Sequence, residues 1–272
     1  MNNVNFHQTF PVTLEYISRI LEITDMCAEM SKEEISELTG IPTGKSSGKV
    51  EPHISYAIYM GLVTDVSKES GKYKLIRTEL GNAIVREDIG IREEVSQLLC
   101  HSRLSSPSTG ALLWSTIIKK IMPNYPNGIK LMLLEDMLKK QSSFSGKKTI
   151  NISPFYTTYQ KSLDSLNLFE KSKETLQLVP HKNKSELIYV YAYTLLYEWE
   201  QTYPQHNEIT ADQLFSLGIG ATFGFADSVI YQVLEQLSEI GVIRINGQLS
   251  PFTVIKNTTS DIMIEKVYSL LC

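Results

Sequence analysis

One local pattern recurs three times along the chain and restricts the folds open to it. In each copy a helical period ends at a small residue, two apolar residues follow, and a short extended segment returns as a hairpin. A helix leading into a two-stranded wing is typical of winged-helix units. The copies span residues 53–76, 153–180 and 226–254, the last around Asn246-Gly247, a strong hairpin signal.

The predicted fold is therefore mainly α with small β-hairpin wings, made of multiple winged helix-turn-helix-like units joined by a helical segment. Residues 79–140 carry helical periods punctuated by Pro107 and Pro123. We expect four domains: an N-terminal winged-helix, DNA-contacting domain (1–82), a helical linker (83–140), a second, basic winged-helix-like unit (141–184) and an acidic winged-helix-like unit that serves as a protein interface (185–272).

A turn rich in glycine, serine, threonine and lysine precedes the helix of the first copy. It runs from Thr39 to Pro52, and proline suits the first helical position. Backbone N–H groups, hydroxyls and ammonium groups at a positive helix end favour anions such as phosphate. Only three residues separate Gly40 from Gly44, whereas a nucleoside-triphosphate loop requires four and a preceding strand. The turn therefore favours contact with a nucleic-acid backbone, and a polar surface turn without a ligand is the alternative.

The candidate DNA-binding residues form two groups. Those expected to hold backbone phosphates at the first turn are Thr43, Lys45, Ser46, Ser47, Lys49 and His53, with Ser55 and Tyr56 approaching the groove. A second contact patch is expected at Lys147, Lys148, Lys161 and Lys171. Contacts of this kind position a protein on DNA without specifying its sequence.

Charge is distributed unevenly, although the formal net charge is only -4. Residues 139–184 hold nine lysines against three acidic residues, whereas residues 185–243 hold eight acidic residues and no lysine or arginine. Phosphate contacts are local and supply most nonspecific affinity, so the middle of the chain suits a polyanion. The acidic, tyrosine-rich last third suits packing or a basic protein partner instead.

Catalytic groups are harder to place. A metal-dependent nuclease needs carboxylates or histidines that converge on a hard cation, and no compact cluster of them occurs. Asp88, Glu93 and Glu94 are better explained as an acidic start to a helix. The histidines at positions 7, 53 and 101 could meet in space, but surface or capping roles are the default expectation. Catalytic residues and metal ligands thus stay unassigned, no cofactor is evident, and a divalent metal is expected only if the protein nicks DNA.

The class of protein follows from two further features. The longest apolar run, residues 187–199, is too short to cross a bilayer and predicts a buried helix. No charged-then-apolar leader opens the chain, and its three cysteines have no paired spacing. We expect a soluble, cytoplasmic protein with no membrane partner and no disulfide framework.

Several short motifs together resemble the bacterial SspB-like proteins, formerly a domain of unknown function. The resemblance covers roughly residues 5–122, and residues 12–16 depart from the basic and aromatic run of that family. The motifs of this chain that carry the resemblance are Phe6-His7-Gln8-Thr9-Phe10, the 40–62 stretch with Ile54-Ser55-Tyr56, Thr78-Glu79-Leu80-Gly81 with Asp88, and Leu98-Leu99-Cys100-His101 leading to Gly110-Ala111-Leu112-Leu113-Trp114.

The resemblance implies a subunit of a bacterial DNA phosphorothioation or related antiphage defence system. It implies that the protein binds or nicks DNA, as a metal-dependent nicking endonuclease if it is an enzyme, so that sulfur can replace a non-bridging phosphate oxygen. The implied partners are DNA, a cysteine desulfurase and sulfotransfer ATPase-type proteins. A non-catalytic winged-helix adaptor or scaffold and a transcriptional regulator are the alternatives.

Overall fold

Small antiparallel sheets are set among many short helices. The computed structural model describes residues 4–44, 48–144, 150–248 and 251–270, and over these ranges the sheets have two or three strands each. The architecture is mainly α with small β-hairpins, as the sequence predicts. The longest helix described has 15 residues, and no described helix is long and apolar enough to span a bilayer.

The first unit (residues 14–77) consists of one helix, a short strand, two helices and a pair of hairpin strands. Strand β1 pairs with β3, and β2 pairs with β4, both antiparallel. The elements are α1 (Leu14–Ile23), β1 (Met30–Ser31), α2 (Lys32–Thr39), α3 (Val50–Tyr59), β2 (Val63–Asp65), β3 (Lys72–Tyr73) and β4 (Leu75–Arg77).

Two helix starts of this unit follow from local sequence. The hydroxyl of Ser31 accepts from the backbone N–H of Glu34, whose carboxylate in turn accepts from the N–H of Ser31, a capping box. Helix α3 begins at Val50, so Pro52 is its third residue, and the expected first position is wrong by two. Proline is tolerated there because an N–H in the first turn has no partner within the helix.

The second unit (residues 112–178) repeats this order. Strand β7 is central and pairs with both β5 and β6. The elements are α6 (Leu112–Ser115), which continues into a π-helical turn (Thr116–Ile121), then β5 (Ile129–Lys130), α7 (Leu131–Lys140), α8 (Ser153–Lys161), β6 (Phe169–Lys171) and β7 (Thr175–Leu178). Because β5 lies in the expected helical linker, the predicted boundary at residue 140 divides this sheet.

The third unit (residues 188–256) has the same order with one additional helix, around a three-stranded sheet in which β10 is central. The apolar run forms α9, the expected buried helix, on which a final helix packs. The elements are α9 (Ile188–Thr202), β8 (Glu208–Thr210), α10 (Ala211–Ser216), α11 (Ile219–Phe223), α12 (Asp227–Glu239), β9 (Ile243–Asn246) and β10 (Thr253–Lys256), followed by α13 (Ser260–Ile264).

Two further helices and the N-terminal segment connect the units. Helix α4 (Glu79–Glu87) follows the first unit, and α5 (Glu94–Leu104) packs on α9. The N-terminal segment (residues 4–13) packs between the first two units, where Phe6 lies 5.6 Å from the ring of Trp114, itself 5.5 Å from Phe155. All three rings are buried, so one aromatic core holds the N-terminal segment and the first two units together.

Candidate nucleic-acid interface

The glycine- and lysine-bearing turn before α3 is closed at its base. The backbone N–H of Lys49 donates to the carbonyl of Pro42 at 2.8 Å. Gly48 lies so close to Gly44 that a Cβ there would sit 2.7 Å from the Gly44 carbonyl oxygen. Thr43 is half-buried and Gly44 is exposed, so the turn opens at the surface. Three predicted phosphate contacts, Lys45, Ser46 and Ser47, lie outside the described residues.

The ammonium group of Lys49 lies beside the N-terminal segment. Its ammonium nitrogen lies 5.5 Å from the ring centroid of Phe10 and 5.7 Å from that of Tyr16. These cation–π contacts fix the half-buried side chain at the edge of the turn. The charge therefore lies beside residues 10–13 as well as beside α3.

Helix α3 itself does not offer the side chains that were expected to contact DNA. None of its ten residues is fully exposed, and His53 and Tyr56 are completely buried. His53 accepts from the backbone N–H of Thr13 at 3.0 Å and donates from Nδ1 to the carbonyl of Lys49 at 2.7 Å. The Tyr56 hydroxyl donates to the carbonyl of Phe10 at 3.0 Å. His53 and Tyr56, which were predicted to contact a phosphate and the groove, are thus buried and hold the N-terminal segment.

Ser55 is the one candidate on α3 that stays partly accessible. It is half-buried, and its hydroxyl donates to the carbonyl of Glu51 one turn earlier at 3.0 Å. The Glu51 carboxylate accepts in turn from Lys32 at 3.3 Å and from the hydroxyl of Tyr73 at 3.3 Å. Glu51 and Ser55 thus lie on the partly accessible side of α3, and their polar groups are bonded within the protein.

Helix α8 of the second unit also forms hydrogen bonds to the N-terminal segment. The hydroxyl of Thr158, which is buried, accepts from the backbone N–H of Val12 at 3.4 Å, and Ser162 donates to the Val12 carbonyl at 2.6 Å. Residues 10–13 are therefore bound by α3 and by α8 at once. The opposite face of α8 is accessible and carries hydroxyl, amide and ammonium groups, at Ser153, Tyr156, Thr157, Gln160 and Lys161.

The second lysine patch is only partly described. Lys161 is exposed, and the ammonium of half-buried Lys171 lies 4.6 Å from the ring centroid of Tyr156 on α8. Lys147 and Lys148 lie outside the described residues. Lys184, also in the basic stretch, pairs with Glu94 at 2.6 Å, so its charge is offset within the protein.

Sequence reasoning did not include the N-terminal segment in the candidate surface, and it named Lys147 and Lys148 without relating residues 145–149 to the first turn. Gln8 and Thr9 are exposed on the N-terminal segment that α3 and α8 enclose. Residues 145–149, Ser-Gly-Lys-Lys-Thr, precede α8 as the first turn precedes α3. The repeated glycine–lysine sequence was the available signal, since each copy stands before the third helix of its unit.

Three histidines expected at the surface are instead buried and neutral. Burial in apolar surroundings lowers the pKa of His7, His53 and His101 from 6.5 to about 4, since it penalises the imidazolium. Hydrogen bonds fix their tautomers. His101 donates from Nε2 to the Thr222 carbonyl and accepts at Nδ1 from the Tyr159 hydroxyl, both at 2.8 Å. A second proton on His53 would face the N–H of Thr13, so the rings of His53 and His101 each link separate elements.

A metal centre does not emerge from the described side chains. Hard divalent cations take several oxygen ligands, which carboxylates usually supply. Within residues 4–44, 48–144, 150–248 and 251–270, no group of three His, Cys, Asp or Glu side chains is placed to hold an ion. Asp88 accepts from the backbone N–H of Glu93 at 2.8 Å, in keeping with the expected helix-start role. The described residues therefore provide no cluster of three such side chains to which a metal-dependent step could be assigned.

The geometry defines a protein with three helix–strand–helix–helix–hairpin units, of which the first two flank one N-terminal segment. No protein-family model matches the sequence, and no curated protein matches it. Solved structures do match. A magnesium ion-bound SspB crystal structure is 14% identical and superposes with a TM-score of 0.74, over 97% of this chain and 86% of that one. A second SspB crystal structure is 13% identical, with a TM-score of 0.71 and the same coverage. This chain has an SspB-like fold.

Proposed function

We propose that this protein is the DNA-contacting subunit of a bacterial DNA phosphorothioation system. In this proposal the first two units hold the DNA backbone, and the third unit binds a protein partner of the sulfur-modification complex, such as a cysteine desulfurase or a sulfotransfer ATPase-type protein. The protein would act in the cytoplasm, where the DNA is. Its SspB-like fold and the motifs of residues 5–122 support this assignment.

One observation carries the proposal: α3 and α8 enclose the same residues, 10–13. Tyr56 reaches Phe10 from the first unit, and Thr158 reaches Val12 from the second. A glycine–lysine sequence precedes each of these two helices. We assign Lys49 before α3, and Lys161 and Lys171 at the second unit, to one surface that includes Gln8 and Thr9 and follows a sugar-phosphate chain.

The element order of the units favours the same function. Helix, strand, helix, helix and hairpin is the order of a winged helix-turn-helix, whose third helix normally enters the DNA groove. In the first unit that helix is buried, so we assign its turn, Thr43 to Lys49, to the phosphate backbone. In the second unit the outward face of α8 is accessible, and we assign Ser153, Thr157 and Gln160 to the groove.

The third unit is unsuited to DNA and suited to a basic protein. The exposed positions of α12, the last helix before the hairpin, include Asp227, Glu235 and Glu239. Residues 185–243 carry no lysine or arginine that could offset them. Phosphates would be repelled by this face, whereas a lysine- or arginine-rich surface would be attracted to it.

Binding across a salt series tests the proposal. Each phosphate neutralised contributes about 0.9 to the slope of log affinity against log salt concentration. Replacing Lys45 and Lys49 with alanine should therefore flatten the slope by about one to two units, measured by fluorescence anisotropy of a labelled duplex. Lys161→Ala with Lys171→Ala should give a similar change.

The matched control replaces two exposed cations with alanine, Arg244 of the third unit and Lys266 after α13. This pair has the same net-charge change but lies outside the proposed surface, so its slope should equal that of the unmodified protein. An equal slope in all three variants would contradict the assignment. Incubation with supercoiled plasmid and Mg²⁺ or Mn²⁺ then tests separately whether bound DNA is nicked.

A further inference from the structure

A pocket of about 600 Å³ lies where the second unit meets the third. Its walls come from the π-helical turn, the chain after β7, and helices α10 to α12. Most of the lining is apolar, including Met122, Phe215, Phe225 and Ile230. Small-molecule sites usually have this size, about 300–1,000 Å³, and often lie between structural units.

Lys119 supplies the cation of this pocket. The π-helical turn, a form found frequently at functional sites, places it in the wall. Its ammonium donates to the carbonyl oxygens of Leu217 at 3.2 Å and Gly218 at 3.0 Å. An ammonium has three N–H groups, and the described residues provide no third acceptor. Two bonds therefore fix the nitrogen in position while one donor stays free at the pocket.

The ammonium of Lys119 bonds to two backbone carbonyls and pairs directly with no carboxylate of the described residues, although Glu198 acts on it through space. Burial lowers the pKa of Lys119 to about 8, and the carboxylate of Glu198 on α9 acts against that shift through space. Glu198 is itself only 2% exposed, and its Oε1 has no hydrogen-bond partner among the described residues. Asp227 is exposed at the rim, where water screens it. An ammonium in this setting gains more from an anion than a solvated lysine would.

We propose that this pocket binds a small apolar molecule that bears one carboxylate. The carboxylate accepts from the free N–H of Lys119, and the apolar body packs against Met122, Phe215 and Phe225. The pocket shares no residue with the surface assigned to DNA, so this binding is independent of the proposed function.

Calorimetric titration of the full chain with phenylbutyrate and with its neutral amide, phenylbutyramide, tests the proposal. Because a buried hydrogen bond to a charged group is at stake, the acid should bind at least about tenfold more tightly than the amide. Lys119→Met should lower the affinity for the acid to that for the amide. Lys120→Met, the exposed neighbour of Lys119, should leave both affinities unchanged.

Filling the pocket provides a second test that leaves Lys119 in place. Ala221→Leu, and Ala226→Leu at the rim, should abolish binding of both probes while circular dichroism and the melting temperature are retained. Equal affinities for acid and amide, no saturable binding of either, or binding that survives both filling variants would each overturn the proposal. The acid–amide comparison uses the unmodified protein, so it decides the issue even if Lys119→Met fails to fold.

Discussion

Acidification from about pH 8 to about pH 5.5 should destabilise the protein through its three buried histidines. His7, His53 and His101 each have a pKa lowered from 6.5 to about 4 in the folded chain, chiefly by burial. Between these two values the unfolded chain binds more protons than the folded chain. The contribution of the three neutral histidines to the free energy of unfolding is therefore complete above pH 6.5 and is lost as the pH falls towards 4.

The size of the effect follows from the two pKa values. At about pH 5.5 one such histidine contributes about 1.4 kcal/mol less to the free energy of unfolding than at about pH 8, so three contribute about 4 kcal/mol less. Burial raises the pKa of Glu198, which opposes this loss. Domains commonly have only about 5–15 kcal/mol of stability, so the loss should be large and easily measured.

Urea unfolding followed by tryptophan fluorescence at a series of pH values measures this loss. His7→Asn should reduce it by about one third, because the amide can keep the bond to the Gln8 carbonyl, and Nε2 of His7 has no hydrogen-bond partner among the described residues. His206→Asn, at an exposed position, should leave it unchanged. A free energy of unfolding that stays constant or rises on acidification would refute the reasoning.

Three further variants test local packing by chemical denaturation. Gly81→Ala should cost about 1–3 kcal/mol, since the new Cβ would overlap the Leu62 carbonyl, whereas Gly247→Ala, where a Cβ meets no described atom, should be nearly neutral; equal costs would contradict this. Tyr159→Phe should cost about 1–3 kcal/mol by leaving Nδ1 of His101 without its donor, and an unchanged midpoint would count against that bond. Ser31→Ala should cost about 1 kcal/mol through the lost capping box, with a smaller cost expected for the threonine variant.

The candidate surface was predictable only where its signal is local. A turn with Gly44, Gly48 and Lys49 before a helix is visible in the sequence, because turn chemistry depends on neighbouring residues. The sequence does not show which face of that helix is buried, because an eight- to ten-residue helix with apolar residues on several sides has no clearly polar face. His53 and Tyr56 were accordingly assigned to DNA, although both hold residues 10–13.

The mainly α class, the capping box at Ser31 and the buried helix α9 could be predicted from local sequence, since each depends on a period or a contact within a few residues. Three features required the folded chain to be known: β5 pairs with β7, α3 and α8 share the N-terminal segment, and Lys119 lines a pocket. These features join residues far apart in the chain. Their partners are selected by packing across units, and no local pattern specifies that choice.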